Sequence, residues 1–201
     1  MELSYLERGV VIGFSIAAPV GPIGVLCIRR SLADGMTKGL AAGLGAATAD
    51  AAYGCVAGFG LTAISGFLVR RQFWLGLIGG IFLCYLGVRT FLSRPAPGAP
   101  ARDSSILAVY GSTLFLTLAN PTTILSFAAI FSAFGLGIAA DYLGACRLVL
   151  GVFLGSALWW LILSGGVSLL RSRLTSAWMQ TVNRVSGAAL VAFGLIALCR
   201  S

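Results

Sequence analysis

The chain has 201 residues, of which 58% are apolar and only 10% charged. That balance excludes an ordinary soluble domain and points to an integral membrane protein. The net charge of +8 does not make it a nucleic-acid binder, because the basic residues flank apolar runs instead of forming a stripe.

Before the first apolar run lie Glu2, Glu7 and Arg8. This is not the basic leader of a cleaved signal peptide, so the run is expected to stay in the membrane. Six apolar runs follow in order, at Gly9–Ile28, Gly39–Val69, Gln72–Leu92, Ser104–Ala140, Leu148–Leu170 and Trp178–Cys199. A spanning helix needs ~20 residues, so each run is long enough. The second and fourth exceed one crossing, which tilt, a kink or an interfacial extension would absorb. The fold class expected is all-α, a polytopic bundle of six transmembrane helices.

Runs one and four each carry a proline near the middle, in Ala18-Pro19-Val20-Gly21-Pro22 and in Ala119-Asn120-Pro121-Thr122. Proline in a helix interior removes a donor and clashes with the preceding turn. In hydrocarbon the freed backbone groups need protein or a water-filled cavity. Paired breaks of this kind mark the binding site of a transporter.

In the second run Gly43, Ala47, Gly54 and Gly58 fall on one face, which suits close helix packing. Asp50 shares that face and is the one acidic residue deep in an apolar run. A carboxylate at the bilayer centre costs ~2.5–3.5 kcal/mol even on the insertion scale. It is expected to face the bundle interior. It would serve there as a structural hydrogen-bonded acid, or as a group that binds a proton or the cationic part of a substrate. Tyr53 lies one turn further on. The other aromatics, including Tyr85, Trp74, Trp159, Trp160 and Trp178, read mostly as interfacial or packing residues.

The segment Ser93–Ser105 holds Pro95, Pro97, Pro100, Arg94, Arg102 and Asp103. It divides the chain into a three-helix repeat over residues 1–92, a proline-rich cytoplasmic linker over 93–105 and a second repeat over 106–201. Pro19 aligns with Pro121. Gly45, Tyr53 and Gly60 align with Gly151, Trp159 and Gly166, and Gly80 and Gly87 with Gly187 and Gly194. Asp50 aligns with Ser156, so the carboxylate is not duplicated. An odd number of helices per half makes the repeats inverted. Alternating access would then move one repeat against the other.

Basic residues set the orientation. Arg29, Arg30, Lys38, Arg89, Arg94, Arg102, Arg171, Arg173 and Arg184 lie on one side, and Arg8, Arg70, Arg71, Arg147 and Arg200 on the other. The richer side is expected to be cytoplasmic, with both termini periplasmic. Arg29 and Arg30 read as topology anchors, with Asp34 and Lys38 in the same short loop as partners.

The breaks and the acid have complementary chemistry. A helix restarting after a break presents unpaired N–H groups and a partial positive charge. Proline suits its first position, Gly21 and Gly24 allow close approach, and Asn120 can cap the restart. Pro19, Gly21, Pro22, Asn120 and Pro121 would cradle an anionic group, and Asp50 would hold an ammonium. That site suits a zwitterion. No second acid lies deep in a span, which favours a neutral substrate over a basic one.

The five cysteines, Cys27, Cys55, Cys84, Cys146 and Cys199, form no CxxC, and the chain has no histidine. They read as small hydrophobes. Neither metal nor other cofactor is expected. Two other classes remain as alternatives, a metal or inorganic-ion exporter and a thiol-redox membrane protein. No GxxxxGK[ST] phosphate loop is present, so transport by ATP hydrolysis is not expected.

At these residues the sequence resembles the LysE/RhtB family of amino-acid exporters. The resemblance runs through Ala18-Pro19-Val20-Gly21-Pro22, the loop Arg29-Arg30-Ser31-Leu32-Ala33-Asp34-Gly35, and Gly39, Gly43-Leu44-Gly45 and Asp50. It continues through Phe59-Gly60-Leu61 and Asn120-Pro121. Where the family has an uninterrupted Pro-Gly-Pro, Val20 intervenes and Ile23 follows. Where it commonly has Asn-Pro-Lys, Thr122 replaces the lysine. The resemblance implies a secondary carrier, not an enzyme, that exports amino acids across the bacterial inner membrane by proton antiport. Its partners would be a small-molecule amino acid and the lipid bilayer, with no nucleic acid. Homo-oligomers stay open, because small-residue faces serve within and between subunits.

Overall fold

The computed structural model describes residues 4–19, 21–59, 71–93, 105–120, 123–124, 126–127, 142–170 and 176–200. Among them the regular elements are all helices: α1 (Tyr5–Ala17), α2 (Pro22–Asp34), α3 (Met36–Gly58), α4 (Gln72–Phe91), α5 (Ile106–Leu118), α6 (Tyr142–Leu170) and α7 (Ser176–Arg200).

Each boundary near the first break has a local cause. α1 opens on a capping box, in which the Ser4 N–H donates to Glu7 Oε2 at 2.7 Å and the Glu7 N–H returns to Ser4 Oγ at 3.4 Å. It ends at Ala17, because Pro19 has no N–H with which to continue the ladder. The restart comes at Pro22, three residues beyond Pro19, with Gly21 as N-cap and Pro22 in the first turn. The Val25 N–H closes that turn on Gly21 O at 3.1 Å. The α1 and α2 axes meet at 81°. α2 extends through Asp34, so the turn into α3 is made by Gly35 alone, at φ 94°, where a side chain would be strained.

α4, α6 and α7 are each long and apolar enough to cross a membrane, and α1 with α2 makes a fourth if the bent pair counts as one span. α3 has the length, with 23 residues rising about 34 Å. Its alanines and glycines, Lys38 and Asp50 keep its hydropathy lower. Large apolar side chains face outward, with Leu107, Leu169 and Val185 more than 60% exposed. Ala42, Ala46, Ala47 and Ala49 are buried. Small residues inside and leucines outside are what lipid as solvent selects.

The glycines fix how the helices pair. A Cβ on Gly9, Gly13 or Gly155 would strike the backbone oxygen of Leu148, Val152 or Val10 respectively. α1 and α6 therefore pack backbone to backbone and run parallel. α3 lies antiparallel to α6, with Gly43 on Trp160, Gly54 on Val152 and Gly58 on Leu148. It lies parallel to α5, with Gly45 on Tyr110 and the Tyr53 hydroxyl on Leu118 O. α4 and α7 form an antiparallel pair, in which Gly80 faces Gly194 and Gly87 faces Gly187.

Candidate functional site

A cavity of about 270 Å³ opens where the α1–α2 bend meets α3, α4, α5, α6 and α7. Pro19, Gly21, Pro22, Asp50 and Asn120 all line it. Pro121, the sixth residue expected at the site, lies outside the described residues, as do Val20 and Thr122.

Asp50 sits on the small-residue face of α3 and is 3% exposed. Ser156 of α6 donates its hydroxyl to Asp50 Oδ2 at 2.7 Å. The Trp160 indole N–H donates to Ser156 Oγ at 3.1 Å, one helical turn along. Because Trp160 occupies an acceptor position on the serine, the serine hydrogen is left to point at the carboxylate. Trp160 is 3% exposed and also lines the cavity. Its ring is held against Gly43, where any Cβ would collide with the indole.

The bend supplies the opposite wall. Gly21 is extended (φ −105°, ψ −163°), and among the described residues nothing lies within 4 Å of where its Cβ would be. Neither its conformation nor protein packing demands glycine there, so the space it leaves belongs to the cavity. No side chain caps α2. Its first-turn N–H groups lack helical acceptors by construction, beside a wall formed by Gly21, Pro22 and Ile23.

At the second break α5 ends at Leu118. Asn120 O then accepts from the Ile124 N–H at 3.2 Å, the bond that opens a new helical turn at an N-cap position. Tyr53, buried at 5% exposure, donates its hydroxyl to Leu118 O at 2.6 Å. It reaches the break itself, satisfying a carbonyl at the end of the interrupted helix. Thr123 and Ser126, just past the break, add hydroxyls to the lining.

Trp160 was not legible as a site residue, since Trp159-Trp160 reads as a packing doublet. The one signal was its i,i+4 spacing from Ser156. Trp74, Tyr85 and Trp178 are more than half exposed and so do not pack inside the bundle. Arg30 pairs with Asp34 at 2.9 Å within α2. Arg29 instead crosses to α7, where its Nε donates to Asn183 Oδ1 at 3.2 Å, and Asn183 Nδ2 donates to Ser93 O at 3.2 Å. Cys27 is fully buried, donates to Gly39 O at 3.3 Å and lies 3.2 Å from Ser164 Oγ. It is a packed thiol, and all five cysteines are free.

The family model for LysE type translocators matches residues 14–201. A Bacillus subtilis (strain 168) protein named "Putative amino acid efflux protein YcgF" is 27% identical over 196 residues, covering 92% of this chain and 90% of that protein. An Escherichia coli (strain K12) protein named "Uncharacterized membrane protein YahN" is 30% identical over 175 residues, covering 84% of this chain and 77% of that protein. No solved structure matches this chain. The match over nearly the whole length, on a chain of membrane-spanning helices, makes this a multi-pass membrane protein of the LysE type translocator family.

Proposed function

We propose that this protein exports a neutral amino acid or a close derivative across the bacterial inner membrane by proton antiport. The observation that supports the reading is a cavity lined, among the described residues, by Asp50, by Pro19, Gly21 and Pro22 of the first break and by Asn120 of the second. The substrate ammonium sits at Asp50. Its carboxylate meets the first-turn N–H groups of α2 and the Asn120–Pro121 break, where helix starts favour negative charge. An ionised carboxylate buried at this depth is costly unless it is compensated. Asp50 is compensated by a proton or by the ammonium, in turn. It gives up its proton as substrate binds from the cytoplasm and takes one from outside as substrate leaves.

The architecture that fits is six spans in two inverted repeats, 1–92 and 106–201, joined by the cytoplasmic linker 93–105, with both termini periplasmic. Helix directions support it. If α1–α2 is span one and α3 to α7 are spans two to six, spans one and five run parallel, as do two and four, while two and five, and three and six, run opposite. Alternating crossings require all four relations. The α4–α7 contacts support the two-fold, since Gly80 on Gly194 becomes Gly187 on Gly87 when the halves are exchanged. So does the meeting of Asp50 with its own counterpart Ser156, as residues near such an axis do.

Alternating access takes a different cut from repeat against repeat. Backbone contacts join α1 to α6 and α4 to α7, across the halves. Rocking the halves would part them. The reading instead moves the α4/α7 pair against α1, α3, α5 and α6, with α2 between them behind its bend.

The test is uptake of radiolabelled amino acids into everted membrane vesicles with an acidic interior. Neutral amino acids accumulate in wild type and collapse with the gradient. Asp50→Asn abolishes this. Gly21→Ala, which meets no protein atom among the described residues, lowers uptake without lowering membrane abundance. Equal accumulation by the Asp50→Asn variant would overturn the reading.

A further inference from the structure

The walls of the cavity differ in chemistry by element. Its polar side chains, Asp50, Thr117, Asn120, Thr123, Ser126 and the indole of Trp160, come from α3, α5, α6 and the residues just past the α5 break. α4 contributes Gly79, Gly80 and Leu83, and α7 contributes Phe193, Ile196 and Ala197. None of these six carries a polar side-chain atom.

We propose that the α4/α7 wall reads the side chain of the substrate, that the substrate is an amino acid with an aliphatic side chain, and that Phe193 sets the size accepted. The inference rests on the reading of Asp50 and the breaks as the seat of the charged head group. With both charges held on the polar walls, the side chain projects toward the apolar one. A hydroxyl or charge pressed against α4 and α7 would lose water and gain no partner. A branched hydrocarbon fills that wall without such a cost. The cavity of about 270 Å³ lies at the lower edge of the ~300–1,000 Å³ of drug-sized sites, so the limit on the side chain is set by what lines this wall.

The choice of Phe193 follows from what else on the wall can change. Gly80 is pinned, because a Cβ there would come within 3.0 Å of the Gly194 carbonyl and 2.9 Å of Leu198. Gly79 is nearly so, with Ala119 O at 3.1 Å. Neither α4 glycine can therefore take a side chain to reshape this wall. Phe193 is the largest lining side chain on that wall, and it packs onto a core cluster that includes Leu83 and Leu190. Its ring is held in place and limits the depth available.

The experiment is uptake of radiolabelled alanine, valine, leucine, phenylalanine, serine and lysine into everted vesicles. Wild type, Phe193→Ala, Phe193→Leu and Asp50→Asn are compared at equal membrane abundance. A methylene gained or lost in an apolar pocket changes discrimination about 10–200-fold. Wild type is expected to favour valine and leucine over serine and lysine by at least about 10-fold on that scale. Phe193→Ala is expected to raise phenylalanine relative to leucine by a similar factor. Phe193→Leu, which keeps an apolar side chain in the core, shifts preference the same way by less and serves where alanine impairs folding. Uptake in which both Phe193 variants scale every amino acid alike overturns the inference while leaving the exporter reading standing. So does a wild-type preference for serine or lysine. Absence of any amino-acid uptake by wild type, or full uptake by Asp50→Asn, overturns the exporter reading and this inference with it.

Discussion

A single tyrosine hydroxyl does much to hold the second break. Leu118 O lies at the end of α5, where the helix stops short of Pro121, and the Tyr53 hydroxyl meets it at 2.6 Å. In an apolar interior a carbonyl left without a donor costs ~1–3 kcal/mol. Tyr53→Phe keeps the ring that packs on Phe127 and removes only that donor. The variant is expected to unfold at a lower temperature in detergent, by that order of free energy, with its fold intact. An unchanged thermal midpoint would mean that Leu118 O is satisfied another way. Much at this scale was legible in advance. Asp50 declared itself as an acid in an apolar run, and Pro19 and Pro22 as prolines inside one, because each violates what a spanning helix allows, while Gly21 and Asn120 stood out only by their place beside prolines. Trp160 did not, since a tryptophan violates nothing in a membrane helix. Its role comes from a hydrogen bond to Ser156 and a place against Gly43, and no single-sequence pattern states either. The bond from Arg29 to Asn183 was hidden for a related reason, as its partners are 154 residues apart.

Helix pairing depends on glycine in some places and tolerates it in others, and the difference can be tested. At Gly13 a Cβ would run into the Val152 backbone, which cannot step aside as a side-chain end could. At Gly166, in the same bundle, nothing among the described residues lies within 4 Å. Gly13→Ala is therefore expected to force α1 off α6 and destabilise by ~1–3 kcal/mol or more. Gly166→Ala is expected to be neutral, or to gain up to about 1 kcal/mol from helix propensity. Thermal unfolding of the two purified variants decides it. Equal losses would mean that α1 does not pack on α6 through its backbone. The sequence marked α3's small face correctly, because regular spacing of Gly43, Ala47, Gly54 and Gly58 is visible without a partner. It could not say that this face meets α6 while Gly45 turns to α5, since partner choice depends on both surfaces. Nor did it place the restart at Pro22. The composition of Pro19 to Pro22 permits a break anywhere in that stretch, and in the structure the restart falls at Pro22, with Gly21 merely occupying the N-cap position.

For the whole molecule, the question is which helices move together. If α4 and α7 form one body, a link between them is harmless, and a link from α7 to α2 is not. The packing supplies sites for both. Arg29 of α2 and Asn183 of α7 are joined through their side chains. Leu92 at the end of α4 and Ala188 of α7 line one open apolar groove. In a background with the five cysteines replaced by serine, Arg29→Cys with Asn183→Cys joined by a short cleavable cross-linker is expected to stop uptake, which reducing agent restores. Leu92→Cys with Ala188→Cys, joined the same way, is expected to leave uptake unchanged. Motion of one repeat against the other gives the opposite result for that second pair, because α4 belongs to the first half and α7 to the second. Arrest by the Leu92–Ala188 link would therefore return the mechanism to the repeats. Its absence, together with arrest at Arg29–Asn183, would make the glycine-packed α4/α7 pair the moving part. The apolar wall of the cavity would then travel while the polar walls stand still.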